Sequence, residues 1–131
     1  MFGTQLPIPS IAARDTAHYA KDMWRGPVWI NINWLIAKGF ERYGMGDAAA
    51  FIQSMTIAEI ERCHDTFGTF FEFFDDRREC EPPLLRRKGK CAPAESPYHQ
   101  AFHDYGWTAT LYLDMVATQT QCGVSPQGRC P

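Results

Sequence analysis

The run from Val28 to Tyr43 is the strongest constraint on this chain. Pro27 suits the first position of a helix, where its missing N–H needs no partner, and Gly44 is a natural stop. Between them Trp29, Ile30, Ile32, Trp34, Leu35, Ile36 and Phe40 spread almost all the way round a helical wheel. Such a helix must be covered on several sides, and Asn31 and Asn33 within it need polar partners if buried. The sequence offers two further helices as cover. One follows Gly46, with Asp47 as N-cap and Ala48, Ala49 and Ala50 as strong helix formers, and ends near His64, before Gly68. It carries two strips, one of Phe51, Met55, Ala58 and Arg62 and one of Ile52, Ile60 and Cys63. The other runs from about Gly106 to Gln119 with Asp104 as N-cap. Thr108, Leu111, Tyr112 and Met115 share one of its faces, and Ala109, Leu113 and Val116 another. Three helices with apolar surface on more than one face are too few to cover one another. The chain therefore reads as part of a larger helical assembly or of an oligomer.

The rest is irregular. Pro7, Pro9, Ser10 and Gly26 break any helical period before residue 27. Residues 69 to 76, where four Phe bracket Glu72, do not read as a helix. A polar loop runs from Arg77 to Tyr98. Residues 121–131 read as a flexible tail. With 131 residues and no repeat, the expectation is a single partial domain, all-α, with long irregular loops.

Thirteen basic residues stand against fifteen acidic ones, a net charge of −2. That balance argues against general nucleic-acid binding, which needs surplus cations, and against an acidic disordered tail. The cluster Arg86-Arg87-Lys88-Gly89-Lys90 therefore reads as a solvated loop before it reads as a phosphate site. No run of about 18 apolar residues occurs, so no membrane helix is expected. The residues Met1 to Pro9 do not read as a secretory leader. Five cysteines leave two readings open. Cys80 with Cys91 and Cys122 with Cys130 form local disulfides beside a lone Cys63, as in a secreted or secretory-pathway protein, or all five are thiols. Cys80, Cys91, His99 and His103 lack the short Cys knuckle of structural zinc sites, so no metal is expected, nor any other cofactor.

Two segments carry candidate chemistry. Glu72 lies in Phe-Phe-Glu-Phe-Phe. A carboxylate enclosed by rings is stripped of water, a setting for acid–base work. The alternative is an edge segment whose Glu faces water while its Phe neighbours turn inward. The second segment is Trp24-Arg25-Gly26-Pro27-Val28-Trp29, continuing to Trp34. Trp faces stack on sugar rings, Arg offers a planar fork, and Gly26 permits close backbone approach. Trp29 and Asn33 lie one turn apart and would face one cleft. The alternative is a pair of core Trp at a helix start.

Trp24 to Ile36, then Phe71-Glu72-Phe73-Phe74-Asp75, then Tyr105-Gly106-Trp107-Thr108-Ala109 follow in that order. Together, over residues 1 to 120, they resemble the C-terminal part of the (α/α)6-toroid glycoside hydrolases. Mannosylglycerate and glucosylglycerate hydrolases and family 63 α-glucosidases are the nearer relatives in this resemblance, and trehalases stand further off. The resemblance implies an inverting hydrolase of α-glycosides acting on a small saccharide or glycoside. Glu72 would be its general base, with Trp24, Arg25, Gly26, Trp29, Asn33 and Trp107 at the sugar. The family's general acid is an Asp in upstream helices, and none of the Asp residues present matches its motif. The partner implied is therefore the N-terminal part of the toroid. Met23 stands where the family usually has Tyr, and the loop after Glu72 has a Cys pair and a basic cluster in place of a Gly-rich turn. A non-catalytic helical sugar-binding or interaction module is the alternative function.

Overall fold

A computed structural model describes residues 5–87 and 99–123, with side chains to residue 119. Three α-helices account for its regular structure: α1 (Ile30–Arg42), α2 (Gly46–Phe67) and α3 (Gly106–Gly123). A single 3₁₀ turn spans Pro82–Leu84. Among the described residues there is no strand, only isolated bridges between loop segments.

Helix α1 starts later than its sequence suggests. The backbone of Val28 is already engaged, exchanging hydrogen bonds with Phe74 at 2.8 and 3.0 Å, and Trp29 takes the N-cap position in extended conformation. Gly44, at φ +73°, lets the chain double back, and the Met45 amide donates to the Phe40 carbonyl at 2.8 Å. Asp47 is not the N-cap of α2. Met45 holds that position, and Asp47 falls in the first turn, where its charge complements the helix dipole. Helix α2 runs past His64 to Phe67 and stops at Gly68, which is left-handed at φ +71°. Asp104 does not cap α3 either. It sits two residues earlier at φ +54°, tied to the Thr69 hydroxyl. Helix α3 extends to Gly123, into the stretch expected as tail; residues 124–131 lie outside the described residues.

Of the two strips on α2, the one holding Ile52, Ile60 and Cys63 is buried; Phe51 and Ala58 face outward. The main core joins Ile57, Ile60 and Cys63 of α2 to Leu6, Val28, Ile30, Phe71, Phe74 and Met115. A second cluster of Ala37, Ala49 and Ile52 lies between α1 and α2. The third, Trp29 with Phe73, Leu85 and Ala101, lies under the loops. Burial pushes the Cys63 thiol up to about 12, helped by the nearby Glu59 charge. Apolar cover is incomplete, as expected. Leu35 on α1 is 56% exposed and Leu113 on α3 is 65% exposed.

The loops are joined backbone to backbone. Met23 donates to the Arg86 carbonyl at 3.1 Å, Ala101 to Leu85 at 2.8 Å, and Glu72 to Phe102 at 2.9 Å. Segments 22–23, 85–87, 99–102 and 72–74 thus form one short ladder over the N-terminal ends of α1 and α3.

Candidate functional site

Glu72 is placed by that ladder. Residues 71 to 76 are buried throughout, and Glu72 is 4% exposed, so the arrangement with Glu facing water is not the one found. Its Oε2 accepts the Arg87 Nε–H at 2.9 Å and the Phe102 amide at 3.3 Å. Its Oε1 faces Arg87 Nη2 at 3.4 Å. The Arg87 guanidinium lies over the Phe102 ring, 3.9 Å from its centroid. A buried carboxylate needs an opposite charge and hydrogen bonds, and Arg87 supplies both. Tyr105 stands close by: burial, then the charge of Glu72, holds its phenol above the usual value, with Arg87 opposing.

Trp24 and Trp29 are stacked face to face, centroids 3.8 Å apart and planes 2° from parallel. Trp29 is buried, its Nε1–H donating to the Met23 carbonyl at 2.8 Å, while Trp24 is 45% exposed. Trp29 also meets Phe73, the residue after Glu72, at 5.2 Å. The backbone between the two Trp is tightly packed. Gly26 is at φ +143°, and a Cβ there would stand 2.3 Å from the Ala20 carbonyl oxygen. Only glycine fits such a position without displacing its neighbours. The Arg25 fork closes on the Asp22 carboxylate three residues earlier.

A partly buried polar clamp ties the Trp segment to the residues after Glu72. Lys21 donates to Asp75 and Glu79, each at 2.6 Å, and the Tyr19 hydroxyl donates to Asp76 at 2.6 Å. The Arg77 guanidinium lies over the Tyr19 ring. Burial works against the Asp75 charge, yet bonds from Lys21 and the Arg77 amide hold Asp75 below the usual carboxylate value. Burial and the neighbouring Asp75 raise Asp76, although Tyr19 and Arg77 oppose them.

Trp107, 54% exposed, opens α3 at the same end of the molecule. The helix start is fixed there by the Tyr105 amide donating to Phe70 and the Thr108 hydroxyl donating to Phe71, at 3.0 and 2.8 Å. Trp24, Arg25, Gly26, Trp29 and Glu72 are thus joined through the loop ladder, and Trp107 lies on the first turn of α3, which the Tyr105 and Thr108 bonds tie to Phe70 and Phe71. Asn33 is not with them. It is fully buried, its amide donating to the Pro7 carbonyl at 2.9 Å and to Thr56 at 3.2 Å. Because the helix begins at Ile30, the step from Trp29 to Asn33 turns inward between the N-terminal loop and α2.

Sequence reasoning missed Arg87, Tyr105 and the Lys21–Tyr19 clamp. The only signal for Arg87 was the basic cluster itself, of which Lys88 to Lys90 lie outside the described residues. Cys91 of the expected zinc set and of the Cys80 pair lies outside them too. Cys80 is a free, half-buried thiol against the Trp29–Phe73 cluster. Both members of the Cys122–Cys130 pair fall where no side chain is described. Among the described residues no group of three His, Cys, Asp or Glu is arranged to hold a metal, and no helix is long and apolar enough to cross a membrane.

Residues 1–116 match the family model of the mannosylglycerate hydrolase MGH1-like glycoside hydrolase domain. Mannosylglycerate hydrolase MGH1 of Selaginella moellendorffii is 34% identical over 106 residues, covering 81% of this chain and 17% of that protein. The mannosylglycerate hydrolase of Rubrobacter radiotolerans is 30% identical over 114 residues, 87% of this chain and 21% of its own length. The crystal structure of the GH63 mannosylglycerate hydrolase from Thermus thermophilus in complex with glucose superposes with a TM-score of 0.56. It is 23% identical, over 88% of this chain and 22% of that one. The chain thus spans about a fifth of the relatives it matches. Its three helices have the fold of one sector of that all-α toroid, and the match over nearly its whole length places the chain in the mannosylglycerate hydrolase MGH1-like glycoside hydrolase family.

Proposed function

We propose that this segment supplies the general base and part of the sugar wall of an inverting hydrolase of small α-glycosides, mannosylglycerate being the first substrate to try. Glu72 is the base. Trp24 and Trp29 form the aromatic wall, with Arg25 and Gly26 between them and Trp107 on the facing helix. Asn33 supports this wall from behind, holding the start of α1 to the N-terminal loop. The observation that carries the reading is a buried carboxylate, Glu72, one residue from the ring that packs on the stacked Trp24–Trp29 pair. An inverting hydrolase needs two carboxyl groups, one to activate water and one to protonate the leaving oxygen from the other side. The second belongs to the partner segment, an N-terminal portion of the toroid that also covers Leu35 and Leu113. Alone, the segment binds sugar weakly and does not hydrolyse it.

The first experiment is to sequence the transcript upstream of Met1. An in-frame extension carrying further helices and an acid Asp supports the reading. The second is Glu72→Gln in the complete chain, which should cut turnover by about 10²–10⁴-fold. Undiminished turnover would sink the assignment. Sugar binding without hydrolysis in the unaltered complete chain would select the non-catalytic module instead.

A further inference from the structure

The two oxygens of Glu72 are held unequally. Oε2 takes two donors, Arg87 Nε at 2.9 Å and the Phe102 amide at 3.3 Å. Oε1 has Arg87 Nη2 at 3.4 Å, beyond the ordinary range for an N–H···O bond. Arg87 is itself fixed from two directions. Its amide donates to the His99 carbonyl at 2.5 Å, and its guanidinium rests on the Phe102 ring. Phe102 in turn accepts the Glu72 amide at 2.9 Å. Guanidinium and carboxylate are therefore borne on paired backbone segments, with little freedom to separate.

Resting on the reading of Glu72 as base, we propose that Arg87 is a positioning residue that pins Oε2 and leaves Oε1 as the atom that takes the proton from water. In that step a water O–H bond breaks and its proton passes to Oε1. The oxygen's electron pair attacks the anomeric carbon. The bond from that carbon to the leaving oxygen breaks with its electrons on that oxygen, which takes a proton from the general acid of the partner segment. Arg87 neither gives nor receives a proton, because guanidinium stays charged throughout. Its fork sets the plane of the carboxylate, which the point charge of a lysine does not. A base turned out of line loses rate without losing substrate.

The test compares Arg87→Met, Arg87→Lys and Glu72→Gln in the complete hydrolase chain, with mannosylglycerate as the probe. Arg87→Met should lose about 100-fold in kcat, with KM within about twofold of the unaltered enzyme. Added guanidinium ions should restore part of that loss. Arg87→Lys should fall between, about tenfold down. An Arg87→Met enzyme with full kcat overturns the proposal. So does a rise in KM with kcat unchanged, which would make Arg87 a substrate-binding group. If Arg87→Met fails to melt cooperatively, Arg87→Lys decides: full kcat overturns the proposal, and a kcat loss at constant KM supports it. Glu72→Gln with undiminished turnover fells the base reading and this proposal together. An inactive Glu72→Gln beside a fully active Arg87→Met fells the positioning role alone.

Discussion

Two glutamates of this molecule are almost equally buried, Glu72 at 4% and Glu59 at 1% exposure, and they are held in different ways. Glu59 sits on α2 between two guanidinium groups. Arg62, one turn on, donates at 2.8 to 3.3 Å, and Arg78 donates at 2.6 Å. Both of its oxygens are saturated. Glu72 sits on a loop with one guanidinium, and one of its oxygens has only a long contact. Burial alone therefore does not single out the proposed base. What separates the two is how much acceptor capacity remains, and whether the surroundings are helix or a junction of loops beside exposed aromatic rings.

The widest split between them is in turnover. Glu72→Gln should remove about 10²–10⁴-fold of activity, and because it leaves the Arg87 guanidinium without its carboxylate it should lower the melting temperature as well. Glu59→Gln should leave kcat unchanged in the complete enzyme. A Glu59 variant that loses activity at unchanged stability would collapse the distinction.

Next comes backbone packing, read by denaturant unfolding. Gly26→Ala forces a methyl into the Ala20 carbonyl and should cost about 3 kcal/mol or more. Gly39→Ala, on α1 with nothing within 4 Å, should be neutral or stabilise by up to about 1 kcal/mol. Equal effects would mean that the loop junction has slack the structure does not show.

Glu59→Gln should itself cost about 2–3 kcal/mol, less than a fully buried pair, because Arg62 and Arg78 reach water. The smallest effect concerns the acidic pair. Asp76 is raised by the fold, so its ionisation works against folding at neutral pH. That cost is relieved as pH falls through its raised value toward the ordinary one. Asp75 is lowered, so its stabilisation is present above the ordinary value and lost as pH falls through its depressed one. Asp76→Asn should therefore raise stability at pH 7, and Asp75→Asn should lower it. Melting curves taken from pH 7 to pH 3 separate the two windows, and an Asp76→Asn chain that melts earlier at pH 7 contradicts this account.

Much of this was legible in the residues. Pro27, Gly44 and Gly68 mark two helices to within a turn, and the apolar circuit of α1 foretells the exposed Leu35. The irregular segment 69–76 is legible in its four Phe within five residues, but that pattern left open whether Glu72 faces water or the interior, and only the pairing of distant loops buries it. The misreadings share a cause. Asp47 and Asp104 are good caps by type, yet the turn at Gly44 and the Thr69 hydroxyl claim the local geometry first. Asn33 has the right spacing from Trp29, but Val28 pairs with Phe74 and delays the helix, turning Asn33 toward Pro7. Arg87 meets Glu72 only because segments far apart in sequence pair as a ladder, and no local pattern carries that.

The bonds that tie the loops and α3 to the rest of the fold span long stretches of chain. Lys21 reaches Asp75 across 54 residues, Tyr19 reaches Asp76 across 57, and Trp34 reaches Asp114 across 80. The α1–α2 hairpin closes through a contact only 12 residues apart, Gln53 to Glu41. Short loops close sooner than long ones. During synthesis the hairpin should therefore form while the Trp pair, Glu72 and the start of α3 are still separate. The loop ladder that carries Glu72 is the last part of this segment to become a structure, and changes to its clamp should act on the rate of folding before they alter the finished arrangement.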